Sequence, residues 1–478
     1  MVKTSRSFLC ALLCAALLLG SLSFGSAALT ADDGWKAYYA DYMQTGSGLY
    51  MAPGADESAR SFAWYAPADA GQPRVLVSEQ EDLSSARTFT GSAEKTPEGD
   101  LRCRVTVREL WPGKTYYYKC VDDTWESETA SFATLSDSSF TAMYTTDIHV
   151  SAEESGDPDS LVNQSYTFSE VLRAAEDKSS VDLLISAGDQ ASKGARSEYT
   201  SLVAAPSLGS IPFALCPGNH DRKGIAYKYF TNNPNEYDRA LVHALISRDY
   251  WYVKGDVLFL VFDSNVAAMT PHRNFARDAI RKNPDVKWRV AVFHHDLFGG
   301  RIPHREDENK LLRLIWTPMF DEFRFDLVLL GHSHYYTMSN AVWRGKTGQD
   351  LKGLDRVTDP KGAVVMVSGS INRPRTIEEG NEPPLGEHIA YSFLTNEPIY
   401  NLIDFAEDAL TVRSFTLSET EPFHTFTIVK TTPQGGHPKN GARIRDFFIR
   451  LLSDVVGAVN EAWTSARMRL HWKDFIGQ

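Results

Sequence analysis

Seven apolar runs punctuate the middle of this chain, and each one stops at a polar cluster. "FTAMYTT" ends at Asp147-Ile148-His149, "VDLLISA" at Gly188-Asp189, and "IPFALC" at Pro217-Gly218-Asn219-His220-Asp221. "VLFLVF" ends at Asp263-Ser264-Asn265, "WRVAVF" at His294-His295, "FDLVLL" at Gly331-His332-Ser333-His334, and "AVVMVS" at Gly369-Ser370. Runs this short, bounded by Gly and Pro and rich in Val, Leu and Phe, predict buried strands. Helical periodicity lies between several of them, as in "SYTFSEVLRAAED" and "NKLLRLIWTPMFDEF". Strand and helix in alternation predict an α/β domain with helices flanking the sheets, over about 139–418. In such domains ligands bind where the strands end, so the polar clusters share a rim.

The stretch before it has a different rhythm. From about 45 to 136 the pattern alternates with a period of two, broken by frequent turn residues. Leu101, Cys103, Val105 and Val107 face one way, and Arg102, Arg104, Thr106 and Arg108 the other. Pro112-Gly113 turns the chain before a strand on which Tyr116, Tyr118 and Cys120 share a face. This predicts a small all-β sandwich. At the other end, a Pro/Gly-rich linker over 431–442 leads to a long amphipathic helix over 443–476. Its apolar stripe is Ile444, Phe448, Leu451, Val455, Val459, Ala462 or Trp463, Ala466 and Leu470. That stripe docks on the α/β domain, on a second copy, or on a membrane surface; charges every few residues exclude a spanning helix.

Residues 1–28 stand apart from the fold. Lys3 and Arg6 precede the apolar run Phe8 to Leu19, and Gly25-Ser26-Ala27-Ala28 follows, which is the plan of a secretory leader. An exported, extracytoplasmic protein is the expectation. Beyond that segment remain Cys103, Cys120 and Cys216, which permit one bridge at most. Cys103 and Cys120 either form it or are two buried thiols. A net charge of −12 over 478 residues argues against a general nucleic-acid surface, since phosphate backbones are held by basic ones.

The rim collects Asp147, His149, Asp189, Asn219, His294, His332 and His334, each unremarkable alone. Of 13 histidines, however, five lie within a few residues of a predicted strand end, which scatter does not explain. Carboxylate, imidazole and amide oxygen are ligands for Zn, Mn or Fe, and no cysteine sits among them. Seven ligands exceed the needs of one ion. They suit two, about 3.5–4 Å apart, arranged for displacement at phosphorus.

The ordered blocks "DIH…GDQ…GNHD…FHH…GHSH" resemble the signature of calcineurin-like metallophosphoesterases. With "LWPGKTYYYKC…SETASFAT" upstream, the layout is similar to purple acid phosphatases, whose catalytic domain follows a fibronectin type III-like domain. The resemblance implies two packed β-sheets and a corner tyrosine at Tyr116. It implies one metal on Asp147, His149 and His334, another on Asn219, His294 and His332, and Asp189 bridging them. It also implies hydrolysis of a phosphomonoester by metal-bound hydroxide, with His220 binding phosphate and protonating the leaving oxygen, and Asp221 orienting His220.

The sequence departs from the purple enzymes in places. Ser192 stands where they carry a tyrosine ligand, and His149 where their first block has Gly, so no purple colour is expected. Met338 replaces an Arg of their last block. His295 is a supporting residue or a substrate contact, and His304 lies where plant-type enzymes bind substrate. A phosphodiesterase on the same centre, and a non-catalytic binding protein on a phosphoesterase scaffold, are the competing readings.

Overall fold

A computed structural model describes residues 28–152, 157–238, 247–298, 306–375, 385–432 and 444–470 of the chain. The predicted leader therefore lies outside the described residues, apart from Ala28.

The alternating region forms two four-stranded sheets. One orders its strands Tyr50–Pro53, Arg60–Ala66, Leu101–Val107, Ser92–Lys95; the other Arg87–Thr90, Arg74–Ser78, Thr115–Val121, Ala130–Ala133. Phe62, Trp64, Val75, Val105, Tyr118 and Phe132 fill the space between them. Cys103 and Cys120 are buried there as free thiols. The Tyr116 hydroxyl accepts from the Trp111 N–H at 2.9 Å, tying a strand start to the loop before it.

The second face of this unit is not solvated as its polar side chains suggest. Arg102 is fully buried, its guanidinium 4.3 Å from the Tyr65 ring and 4.8 Å from the Phe230 ring. Arg104 donates to the carbonyls of Thr231, Lys228 and Tyr229. The arginine face is thus the seam to the α/β domain, where aromatic faces and carbonyls take the place of water. Glu57, held by Arg60 at 3.0 Å and Lys254 at 2.9 Å, bridges the same seam.

All seven apolar runs are strands, divided between two seven-stranded sheets. Phe213–Leu215, Leu183–Ser186 and Phe140–Thr145 run parallel in one. Val257–Val261, Trp288–Val292, Leu327–Leu330 and Val364–Val367 run parallel in the other. Ile185, Phe259, Val290, Leu329 and Ile403 belong to the core where the sheets meet. A parallel bridge between Thr146 and Ser370 joins the carboxyl ends of the two parallel sets, so their loops open on one rim.

Three features differ from the sequence expectation. A helix over Asp33–Thr45 precedes the sandwich, capped by Asp32 and a left-handed Gly46. None of its residues is fully buried, but Trp35, Tyr39, Tyr42 and Met43 are half-buried, the Trp35 ring lies 5.7 Å from that of Tyr166, and Trp35 and Tyr38 donate to the Val162 and Ala204 carbonyls. The first of the two sheets continues through His424–Val429, beyond residue 418. Last, the C-terminal helix Ile444–Leu470 packs on helices Met269–Lys282 and Glu306–Phe323 by the side opposite its apolar stripe. Ser453 and Glu461 are buried, whereas Leu451, Val455, Val459 and Trp463 face out.

Candidate metal centre

Five of the seven predicted ligands sit in left-handed backbone: Asp147 (φ 49°), His149 (54°), Asp189 (54°), His332 (76°) and His334 (64°). Each costs something of order 1–3 kcal/mol for a non-glycine residue and persists only where surroundings enforce it. Cross-strand hydrogen bonds do the enforcing. Asp147 N–H donates to the Gly188 carbonyl at 2.8 Å, His149 N–H to the Asp189 carbonyl at 2.9 Å, and His332 N–H to Asp147 Oδ2 at 2.7 Å. Two glycines permit the approach. A Cβ on Gly218 would stand 2.1 Å from Asp189 Oδ1, and one on Gly331 2.0 Å from Thr146 Oγ1.

These turns aim the side chains into two adjoining clusters. Asp147, His149 and His334 offer ligand atoms within 4.8 Å of one another, as do Asp189, His294 and His332. Asp189 Oδ2 lies 3.2 Å from His294 Nε2 and 3.7 Å from His149 Nε2, so one carboxylate faces both clusters. Asn219 Oδ1 lies 3.1 Å from His294 Nε2 and completes the second set.

The donor set fits cations. Asp147 Oδ1 is buried, with His334 Nε2 3.2 Å and His149 Nε2 3.7 Å away. His149 Nε2 and His334 Nε2 face one another at 3.1 Å. Burial disfavours the charge of Asp147 and Asp189, yet the surrounding histidines hold both carboxyls below their ordinary range. Burial likewise opposes protonation of His294, but Asp189 and Asp147 push it up to about 9. Two buried carboxylates that draw a proton onto a neighbouring imidazole form a site that attracts positive charge. A buried charge of this kind requires a partner, and a metal ion supplies one.

His220 stands over the Asp147 cluster, its ring edge-on to His149 with centroids 4.8 Å apart. Its Nδ1 is 2.8 Å from the Ser192 carbonyl, and its N–H donates to Asp189 Oδ1 at 2.7 Å. Burial lowers its basicity, with Asp189 opposing and Lys223 assisting.

Asp221 does not orient His220. Its carboxylate points the other way and accepts from the N–H groups of Gly218 (2.7 Å), Asp189 (2.8 Å) and Ala191 (3.1 Å) and from the Tyr199 hydroxyl (2.6 Å). An aspartate following a histidine on a 3-10 turn projects to another side, toward free backbone donors. Burial and the Asp189 charge push its carboxyl up to about 7.

Ser192 Oγ lies 3.4 Å from His149 Nδ1, so the hydroxyl braces the histidine from behind. His295 is buried, its Nδ1 2.8 Å from Ser264 Oγ and its ring 5.0 Å from that of His332. His304 lies outside the described residues. Sequence reasoning missed Lys223, whose Nζ is 2.7 Å from His220 Nδ1, and Ser264, whose hydroxyl accepts from the His295 N–H at 3.2 Å. Only the position of Ser264 at the end of an apolar run signalled it.

Residues 140–336 match the family model for calcineurin-like phosphoesterases, and residues 47–134 the model for the purple acid phosphatase N-terminal domain. The chain carries both domains. Among solved structures, a purple acid phosphatase from yellow lupin (Lupinus luteus) seeds shares the fold, with a TM-score of 0.64 at 13% identity over 83% of this chain and 77% of that one. PhoD does so at a TM-score of 0.51 and 12% identity, over 87% of this chain and 98% of that one. Two uncharacterised Mycobacterium tuberculosis proteins are 29% identical over 99 residues, which is 19% of this chain and 18% of each of theirs.

Proposed function

We propose that this chain, as the bearer of a calcineurin-like phosphoesterase domain, is an exported hydrolase of phosphate monoesters that works with two bound metal ions. The observation that carries the reading is Asp189, one carboxylate facing two ligand clusters at once. Asp147, His149 and His334 would hold one ion, and Asn219, His294 and His332 the other. A pair of such ions supplies Lewis acidity toward phosphoryl oxygen and an activated water at neutral pH.

The chain's own side chains do the rest. His220, half-buried at the rim beside both clusters, binds a phosphoryl oxygen and delivers a proton to the departing alkoxide. The Ser192 carbonyl and Lys223 Nζ both stand beside its Nδ1, at 2.8 and 2.7 Å, and Lys223 Nζ is 3.3 Å from its Nε2, the nitrogen that would meet the substrate. Lys223, beside the imidazole, adds positive charge where the phosphate sits. His295 supports the centre through Ser264 rather than touching substrate. The leader-like residues 1–28 support export. All seven ligands being present favours an enzyme over a binding scaffold.

The test is metal analysis joined to a panel of phosphate mono- and diesters. The native protein is expected to bind two metal ions and to prefer 4-nitrophenyl phosphate to bis-4-nitrophenyl phosphate. Asp189→Asn is expected to lose both bound metal and turnover. A variant that kept its metals and its rate would remove the shared-carboxylate reading, and a preference for the diester would reassign the substrate class.

A further inference from the structure

His220 rests against a peptide group, and that peptide is held from behind by a buried carboxylate. Glu198 lies in the first turn of the helix Arg196–Leu202 and is fully buried. Its Oε2 accepts from the N–H groups of Ala195 (3.0 Å) and Lys193 (2.9 Å), and its Oε1 from the Ala152 N–H at 3.3 Å. A glutamate that reaches back to the start of its own helix needs only the first of these. The other two amides belong to the loops that carry Ser192 and His149. Burial pushes the Glu198 carboxyl above its ordinary range, and the three N–H groups and the Lys193 charge oppose that shift. A carboxylate is tolerated in such a place only where donors surround it, and all three of these neighbours donate.

The Lys193 N–H and the Ser192 carbonyl are the two ends of one peptide unit. That unit is planar and trans, so its carbonyl points away from its N–H. Fixing one end aims the other, and the Ser192 carbonyl stands 2.8 Å from His220 Nδ1. Gly194 seats the same loop against the one that bears His220, since an added Cβ there would be 2.6 Å from the Gly224 nitrogen. That contact sets where the loop lies; Glu198 sets which way its peptide faces. An N–H bonded to an anion also polarises the peptide and makes its carbonyl a stronger acceptor. The effect falls on Nδ1, where two neighbours make opposite demands. A carbonyl only accepts and requires a proton on that nitrogen. The Lys223 ammonium, 2.7 Å from it, only donates and requires a lone pair. Glu198 tips this contest toward the carbonyl.

We propose that Glu198 is the positioning residue of His220, acting through the Ser192–Lys193 peptide to hold Nδ1 on the carbonyl and Nε2 toward the substrate. It takes the part that Asp221, bonded to other amides, does not play. The proposal rests on the reading of His220 as proton donor to the leaving oxygen.

The test is the ratio of rates on an alkyl phosphate and on 4-nitrophenyl phosphate, measured on the full chain with zinc or manganese in excess. The alkyl leaving group needs the proton and the nitrophenyl group does not, so loosened structure or lost metal slows both and leaves the ratio unmoved. Glu198→Ala removes every acceptor and is expected to lower the ratio by about tenfold or more. Glu198→Gln keeps the shape but sets an NH2 against one of the amides, and should lower it by about threefold. His220→Ala lowers the ratio by itself, and adding either change to it should lower the ratio no further. A native ratio in Glu198→Ala, or in Glu198→Gln where the alanine variant does not fold, overturns the proposal and leaves His220 its role. So does a further fall on top of His220→Ala, which would mean that Glu198 acts on some other part of the site. A ratio that His220→Ala itself leaves native removes the proton donor, and this proposal with it.

Discussion

Replacing Asp221 by asparagine separates two roles for this residue. The carboxylate accepts four hydrogen bonds from buried donors, Oδ2 from the Gly218 and Asp189 N–H groups, Oδ1 from Ala191 N–H and the Tyr199 hydroxyl. An asparagine keeps one oxygen and can retain the first pair. Its amide NH2 then faces the second pair, where Tyr199 rotates to accept but the Ala191 N–H is orphaned. One unsatisfied buried donor costs about 1–3 kcal/mol. At roughly 2–4 °C per kcal/mol for a unit of this size, the melting temperature should fall by several degrees. Asp221→Ala orphans all three amides and should cost at least roughly 3 kcal/mol by the same reckoning. Both changes loosen the loop that presents Asp189 and Asn219, so metal content should fall with stability. The assays are calorimetry of metal-free and metal-loaded protein, metal analysis, and a pH–rate profile. A pH–rate profile displaced along the pH axis, with melting and metal content like the native protein, would refute this reasoning and restore Asp221 as the partner of His220.

Three further outcomes are expected. His220→Ala should retain its metals and slow alkyl esters by roughly a hundredfold or more, with a much smaller effect on nitrophenyl esters; equal losses across a leaving-group series would remove the proton-donor role. Gly218→Ala drives a methyl group into Asp189, so it should cost about 1–3 kcal/mol and lower metal occupancy, as measured by elemental analysis. Burial pushes the Glu57 carboxyl up, but Arg60 and Lys254 reverse this and hold it at about 2 against an ordinary 4.5. Its contribution, about 3 kcal/mol at most, is present above pH 4.5 and lost as pH falls toward 2; the acid limb of a stability curve should flatten in Glu57→Gln.

The sequence determined the parts of this protein that local pattern controls. Apolar runs of strand length had to be buried, and the residues ending them, Asp147, Asp189, Asn219, His294 and His332 among them, had to gather on a rim. The helix Asp33–Thr45 left a weaker mark: Trp35, Tyr38, Tyr39, Tyr42 and Met43 recur at steps of three and four, but three of the five are tyrosines with a polar tip and none is fully buried. Other features required the assembled chain. Arg102 reads as solvent-facing from strand alternation and is buried because a second domain covers that side. Asp221 reads as the partner of its neighbour His220, yet three backbone amides brought by folding from residues 189, 191 and 218 claim it. The stripe of the last helix is plain in sequence, but Glu461 meeting Arg222 and Gly457 meeting Ala268 decide that it faces outward. Periodicity records which side chains avoid water, a property each residue carries with it. Which charge pairs with which, and which face is covered, depends on distances between residues far apart in the chain, and those exist only after the sheets have packed.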